Sequence, residues 1–205
     1  MPRPKKLSRD KILDAAIELI DAEGLEALSM RRLGERLGVE AMSLYRHVRN
    51  KAALLDAVHD ALLGRMRIEP SDGGWDAQLR QIARAFRALL REHAAALPMF
   101  ATRTATGPQA LAQVEAGLAI LHRAGLCPAR AMSTFQVIFA YVVGHSMFTY
   151  APAAATGGTV DYGSLPADQF MHLRRIAEDP MPDAEQQFEQ GLDLLIEGLR
   201  QTRST

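Results

Sequence analysis

Apolar residues recur at spacings of three and four along most of the chain, and no stretch alternates apolar with polar residues. This periodicity is typical of amphipathic α-helices. The first helix is predicted to begin after Ser8, a favoured N-cap, and to end at Gly24, where a residue without Cβ is favoured. A second is predicted between Ser29 and Gly38, and a third, of about two turns, over residues 41–47. We therefore expect an all-α protein that opens with three closely spaced helices.

Residues 29–51 have the layout of a helix-turn-helix DNA-binding motif, in which a tight turn joins two short helices. Leu44 is the predicted buried residue of the third helix. The residues expected to face solvent are Ala41, Met42, Ser43, Tyr45, Arg46 and His47. Hydroxyls, an aromatic ring and a cation on one face suit entry into a groove and contact with phosphates. We call residues 41–47 the recognition segment; its neighbours must hold it, because so short a helix is not stable alone.

The remainder of the chain is predicted to be helical as well. Asn50 is the predicted N-cap of a fourth helix that extends to residue 67. The clearest break, EPSDGG at residues 69–74, marks the predicted domain boundary. Glycine and proline breaks beyond it delimit predicted helices at residues 75–97, 108–124, 128–150, 168–177 and 183–201.

Residues 131–160 contain no Asp, Glu, Lys or Arg, which raises the question of a membrane span. Gln136 and His145 interrupt the apolar run, Pro152 follows it, and no cluster of cations flanks it. We therefore expect a helix buried all round in a protein core or a subunit interface, and no membrane partner. Charged residues interrupt the first helix, so no secretory signal is expected, and the single Cys127 cannot form an internal disulfide. Both observations favour a cytoplasmic location.

Composition and charge agree with this organisation. At 205 residues, 48% of them hydrophobic, the chain has room for one small and one larger helical domain. The net charge of zero is unevenly distributed, because residues 1–51 hold 11 Lys and Arg against 8 Asp and Glu. An excess of three is common on solvated helical faces, but here it lies beside the predicted motif. Residues 2–6, PRPKK, form a basic arm suited either to phosphate or minor-groove contact or to a solubilising tail.

Residues 37–58, LGVEAMSLYRHVRNKAALLDAV, resemble the DNA-binding signature of the tetracycline repressor (TetR) family of bacterial transcriptional regulators. The residues that stand in register are Leu37, Gly38, Val39, Leu44, Tyr45, His47, Val48, Asn50, Lys51, Leu54 and Leu55. Residues 188–199 are similar to the last helix of the tetracycline-repressor branch. The resemblance implies a helix-turn-helix domain at residues 1–67, with the basic arm at 1–7 and a linking helix at 50–67. A helical ligand-binding and dimerisation domain is implied at residues 75–205.

The resemblance also implies which residues contact double-stranded DNA. These positions are Ser29, Arg31, Ala41, Met42, Ser43, Tyr45, Arg46, His47 and Lys51. The expected phosphate contacts are Tyr45, His47 and Lys51. The expected base-edge contacts are Arg31, Met42, Ser43 and Arg46. A packing role is the alternative for Tyr45 and His47.

One such helix touches too few base edges to select a site, so a homodimer on a palindromic operator is expected, with half-sites about 34–36 Å apart. Members of the family pair through a four-helix bundle made by their last long helices, which implies residues 128–150 and 183–201 here. Gly191 and Gly198 would allow a second helix to approach closely, unless they merely weaken the helix that contains them.

A small-molecule effector of unknown identity is implied for the C-terminal domain. The candidate lining residues are Phe86, His93, Met99, Phe100, Arg103, Phe135, Phe139, His145 and Phe148, each of which could instead be plain core. Tetracycline repressors hold their drug and a divalent ion through a histidine on the eighth helix. In an ungapped comparison through Gly144 that position is Ala140, so we expect neither a metal nor another cofactor, and a more apolar ligand.

Two other functions compete with regulation. Residues 144–146 begin like a G-x-S-x-G nucleophile elbow of a hydrolase, but Phe148 replaces the last glycine and a helix is predicted where the elbow needs a strand-to-helix turn. His59 and Asp60 form a single His-Asp dipeptide, and no other histidine lies at a metal-ligand spacing from it. We therefore expect no catalytic residue and no enzyme. The second alternative is a ligand-carrying helical dimer with a decayed DNA-binding motif, against which the intact caps Ser29 and Asn50 argue.

Overall fold

The computed structural model describes residues 7–68, 72–151, 160–179 and 181–203, and these contain helices and turns without a β-strand. The all-α prediction is confirmed. The α-helices in this part of the chain are α1 (Arg9–Glu23), α2 (Met30–Leu37), α3 (Ala41–Leu44), α4 (Lys51–Gly64), α5 (Trp75–Glu92), α6 (Leu97–Thr102), α7 (Pro108–Arg123), α8 (Pro128–Tyr150), α9 (Met171–Ile176) and α10 (Ala184–Arg203). Residues 1–151 form one compact unit and residues 152–205 a second. The predicted basic arm at 2–6 and part of the predicted boundary at 69–74 lie outside the described residues.

Local hydrogen bonds set the ends of the first helices. The Ser8 side chain accepts a bond from the Lys11 N–H at 3.4 Å, and the Ser29 side chain accepts one from the Arg32 N–H at 3.2 Å. Gly38 ends α2 in the left-handed conformation, with φ of 66°, which glycine adopts without strain. These caps lie where the sequence predicts them.

The helix of the recognition segment is shorter than predicted. It was expected over residues 41–47, but α3 ends at Leu44, and the next residues form a turn in which the N–H groups of His47 and Val48 both donate to the Leu44 carbonyl. Val48 is buried, and Asn50 is fully extended because it caps α4. The helix α3 ends early because the chain must both bury Val48 and extend at Asn50. The linking helix α4 likewise ends at Gly64 rather than at residue 67.

The helix α4 is central to the first unit. It packs against α1, and also against α6 and α7, while α5, α7 and α8 pack against one another. Apolar side chains fill the core of this part; those with at most 6% exposure include Leu62, Leu79, Ala83, Phe86, Leu90, Met99, Phe100, Leu121 and Val142. α4 therefore connects the helix-turn-helix motif to the helices that follow.

The helix α8 is not buried all round within the chain, so that expectation was wrong for the single subunit. By length and composition alone, α8 is long and apolar enough to cross a membrane. Within the protein, only 28% of its most apolar 18-residue window is buried. Phe148 is 92% exposed and Val137 is 54% exposed. Burial in a subunit interface, the alternative named above, stays a prediction.

The second unit contains a 3-10 turn (Tyr162–Ser164) that packs with α9, and the helix α10. The short helix predicted over 168–177 is present as α9 but begins three residues later. A capping box starts α10: the Gln186 N–H donates to the Asp183 carboxylate at 2.8 Å, and the Asp183 N–H donates to the Gln186 side chain at 3.0 Å. Leu194 projects from this helix with 76% of its surface exposed.

Candidate DNA-binding surface and ligand cavity

A buried glycine, Gly34, brings α2 against the turn that precedes α3. A Cβ at this position would lie 2.8 Å from the Val39 carbonyl oxygen and 3.2 Å from the Ala41 nitrogen. Both are backbone atoms, so a side chain here would push the two helices apart. Gly34 was not among the residues predicted from the sequence, although an isolated glycine inside an amphipathic helix often has a packing reason.

The recognition segment is anchored by Leu44, which is completely buried. On its outer side Met42 is 72% exposed and Tyr45 is 46% exposed, and Arg46 is exposed as well. The half-buried members of the predicted contact set are Ser29, Ala41, Ser43 and His47. The structure thus presents a small, mixed apolar and polar surface above one fixed side chain.

Two predicted contacts lie beside this segment. The Arg31 side chain donates to the Glu35 carboxylate at 3.1 Å in a largely exposed ion pair. Such pairs contribute only about 0–1 kcal/mol, so Arg31 can exchange Glu35 for a group on DNA at little cost. Lys51 is exposed at the start of α4, next to Asn50, whose side chain accepts a bond from the Ala53 N–H at 2.8 Å.

Ion pairs neutralise cations away from the recognition segment. Acidic residues of α1 pair with cations of α2 and of the end of α4: Glu18 with Arg36, Glu23 with Arg32, and Asp14 with Arg65. Among the described residues, Arg46, Arg49 and Lys51 form no ion pair. These three cations lie where α3 leads into α4, on the side expected to meet phosphates.

A shallow depression of about 400 Å³ lies at the same end and includes two cations that were not predicted as DNA contacts. Its walls include Arg9, His47, Arg49 and Asn50. Arg9 is the first residue of α1, and Arg49 directly precedes the N-cap of α4. In the sequence, their positions beside two helix starts were the feature that could have indicated phosphate contacts. Their juxtaposition depends on how α1 packs against α4, which spacing along the chain does not reveal.

A cavity of about 420 Å³ lies among α4, α5, α7 and α8. Four of the nine predicted ligand contacts lie on its wall: Phe86, Arg103, Phe135 and Phe139. The rings of Phe86 and Phe139 stack with centroids 5.2 Å apart, and Phe135 stacks on Phe139 at 6.5 Å. The cavity therefore presents aromatic faces in an otherwise mostly aliphatic wall.

The other five predicted contacts do not line this cavity. His93 is buried and its Nδ1 lies 2.9 Å from the Asp21 carboxylate of α1. Met99 and Phe100 are core residues with 1% exposure. His145 lies 3.2 Å from the Thr149 hydroxyl, outside the cavity wall, and Phe148 is exposed. Helical spacing identified large side chains but not the face on which each one lies.

The described residues contain no group of three or more His, Cys, Asp or Glu side chains that could hold a metal ion. Ala140, the position compared with the metal-binding histidine of tetracycline repressors, is exposed and does not line the cavity. The polar side chains on the cavity wall are those of Arg103, Thr104, Gln113 and Gln136. These groups suit an organic ligand better than a cation.

Two family models match this chain. Residues 69–203 match "Tetracyclin repressor-like, C-terminal domain", and residues 12–58 match "Bacterial regulatory proteins, tetR family". Among related proteins, the HTH-type transcriptional repressor DrrR1 of Streptomyces coeruleorubidus is 40% identical over 146 residues, covering 70% of this chain. The match spans only 53% of DrrR1 itself. The class A tetracycline repressor protein from transposon 1721 of Escherichia coli is 32% identical, with 97% of this chain and 93% of that protein covered.

Solved structures show the same similarity. The Streptomyces coelicolor TetR family protein ActR, in complex with (S)-DNPA, superposes with a TM-score of 0.86 at 30% identity. The superposition covers 97% of this chain and 99% of ActR. ActR has also been solved in complex with actinorhodin, with a TM-score of 0.84.

Proposed function

This chain belongs to the tetracycline repressor (TetR) family of transcriptional regulators, and we propose that it is a homodimeric repressor that binds a palindromic operator. A small molecule bound in the cavity changes its affinity for that operator. The observation that carries the proposal is the recognition segment, which exposes Met42, Tyr45 and Arg46 above the buried Leu44.

The contacts with DNA divide into two sets. Phosphates are bound by Tyr45, His47 and Lys51, to which the depression at the start of α1 and α4 adds Arg9 and Arg49. Base edges are contacted by Arg31, Met42, Ser43 and Arg46. Ser29 and Ala41 lie at the starts of α2 and α3, and their small side chains let the protein backbone approach the DNA groove.

Self-association supplies the second recognition segment that sequence discrimination requires. Exposed apolar residues on two helices support it: Val137 and Phe148 on α8, and Leu194 on α10. A Cβ at Gly198 would meet no atom within 4 Å, which leaves room on α10 for a partner helix. Large apolar side chains in water are typical of surfaces that another subunit covers.

The cavity is the proposed effector site, by analogy with the ligand complexes of ActR. Leu63 of α4 lies on its wall, and the same helix begins at Lys51, one of the proposed phosphate contacts. An occupant therefore touches the helix that reaches DNA. It changes operator affinity to the extent that it binds one arrangement of that helix more tightly than another.

Catalysis is not part of this proposal, because Gly144, His145 and Ser146 lie within α8 and not at the strand-to-helix turn that a nucleophile elbow needs. The matched family is described as bacterial regulatory proteins, and the cytoplasm, where bacterial DNA lies, is the proposed location.

Selection of fragments from sheared genomic DNA tests the proposal, followed by a salt titration of the selected site. The wild-type protein is expected to prefer the selected fragment over unrelated DNA and to lose affinity steeply as salt rises. Arg46→Ala is expected to lose about 1–3 kcal/mol of binding free energy. The control is Arg123→Ala. It removes a cation of α7 that bonds to Gln78 of α5, and this variant should bind DNA like wild type.

Equal affinity for selected and unrelated fragments would contradict sequence-specific regulation. Binding of a small molecule without any binding of DNA would instead support the ligand-carrying dimer.

A further inference from the structure

One charged side chain lies on the wall of the cavity. Among the described residues that line it, Arg103 is the sole ionisable group, and it follows α6 at the start of the connection to α7. Its side chain is only 24% exposed. An apolar wall that contains one cation needs an anionic partner for that cation.

In the structure that partner is on α4. The Arg103 Nη1 donates to the Asp56 carboxylate and to the Ala52 carbonyl oxygen, the latter at 3.4 Å. Asp56 is 54% exposed, so this ion pair lies towards solvent and is weak. A guanidinium group has five N–H donors in a planar fork, and the described bonds both use Nη1. The bonds to α4 thus engage one nitrogen of the fork, whereas a bidentate carboxylate would engage two.

We propose that the cavity binds an aromatic acid, and that the acid's carboxylate takes Arg103 away from Asp56. This inference rests on the proposed function, in which the cavity is the effector site. The rings of Phe86, Phe135 and Phe139 contact the flat body of the ligand. A bidentate bond from Arg103 inside an apolar cavity is stronger than its bond to the exposed Asp56, because water screens the latter.

Among the described residues Arg103, through its bonds to Asp56 and Ala52, is one of two hydrogen-bonded ties between α4 and the segment that leads into α7, and withdrawal of its guanidinium releases both bonds. The second tie is Asp60, whose carboxylate accepts a bond from the Ala110 N–H at 2.9 Å. Gly107 lies so close to Asp60 that a Cβ there would overlap its carboxyl group. The acid thus frees α4 on the Asp56 side, towards Lys51, while Asp60 still holds the helix one turn further on.

Isothermal titration calorimetry with 2-naphthoate and its neutral counterpart 2-naphthamide tests this, with the full chain and without DNA. Wild type is expected to bind the acid more tightly than the amide. Arg103→Gln should lower the affinity for the acid by about tenfold to a hundredfold and leave the amide unchanged. Asp56→Asn should raise the affinity for the acid, because it removes the competing carboxylate. Arg123→Gln, an arginine outside the cavity, should match wild type.

An acid-to-amide affinity ratio that Arg103→Gln does not change would overturn the proposal, as would a wild-type protein that fails to bind 2-naphthoate. Should Arg103→Gln not fold, Asp56→Asn decides, and unchanged affinity for the acid then overturns the proposal. Because no DNA is present, these results are independent of the fragment selection that tests the regulator itself.

Discussion

At the scale of single residues, α4 is joined to its neighbours by Asp56, His59 and Asp60. The two carboxylates bond to Arg103 and to the Ala110 N–H. His59 lies between them on the buried side, 3% exposed, with its ring centroid 4.9 Å from that of Phe100. Its Nε2 has no hydrogen-bond partner among the described residues. The position therefore favours a neutral imidazole.

The pKa of His59 makes the folded state sensitive to pH. Burial lowers the pKa below the ordinary value of 6.5, aided by Arg103 and opposed by Asp60 and Asp56. The unfolded chain binds this proton more readily, so the contribution to stability is complete above pH 6.5 and is lost as the pH falls below that value. Urea unfolding should therefore show a free energy of unfolding that decreases from about pH 7.5 to about pH 5.5.

His59→Phe should reduce this slope, because phenylalanine has nearly the same shape and binds no proton. His122→Phe, at an exposed position on α7, leaves His59 in place and should keep the slope. A wild-type slope in His59→Phe would show that another group is responsible.

At the scale of elements, α3 depends on α2. A helix of four residues has no stability of its own, so its position is set by Leu44 in the core and by the close approach at Gly34. The accuracy with which the recognition segment is held therefore depends on a residue that cannot itself contact DNA.

The variant Gly34→Ala tests whether Gly34 is needed for the close approach of α2 to the turn before α3. Helix propensity and close packing predict changes of opposite sign in the free energy of unfolding. Propensity alone would stabilise α2 by about 1 kcal/mol, whereas the clash with Val39 and Ala41 should destabilise the protein by about 1–3 kcal/mol. We expect destabilisation in urea unfolding, together with weaker operator binding. Glu40→Ala, at an exposed position in the same turn, should leave the free energy of unfolding unchanged. A more stable Gly34→Ala variant would contradict the packing role.

At the scale of the whole molecule, function requires two chains. The first unit carries the recognition segment and the cavity, and the two units each expose large apolar side chains on a long helix. Such surfaces are costly in water unless a partner covers them. The family match, the dimer and the recognition of paired half-sites thus form one consistent account.

The double variant Phe148→Asp and Leu194→Asp should convert the dimer to a monomer, because it would bury two charges in an apolar interface. Sedimentation velocity at matched concentrations measures this. Tyr45→Ala is the matched control, since it should stay dimeric while losing affinity for the operator. If the double variant sediments as a dimer, the subunits associate through another surface.

The sequence by itself determined the features that depend on neighbouring residues. Ser8, Ser29 and Asn50 cap their helices as predicted, because a cap bonds to an N–H three residues away. The all-α class and the membership of the family follow from local periodicity and from a contiguous motif, and both predictions are confirmed. The predicted domain limits and contact residues remain predictions.

Only the tertiary structure decided what depends on residues distant in sequence. Arg103 meets Asp56 across 47 positions, and α3 ends early because Val48 must be buried while Asn50 caps the next helix. Periodicity reports that a side chain is apolar, but it cannot tell the cavity wall at Phe139 from the exposed surface at Phe148. The reason is physical: a cap is a bond within one helical turn, whereas a cavity exists only after several helices have packed together.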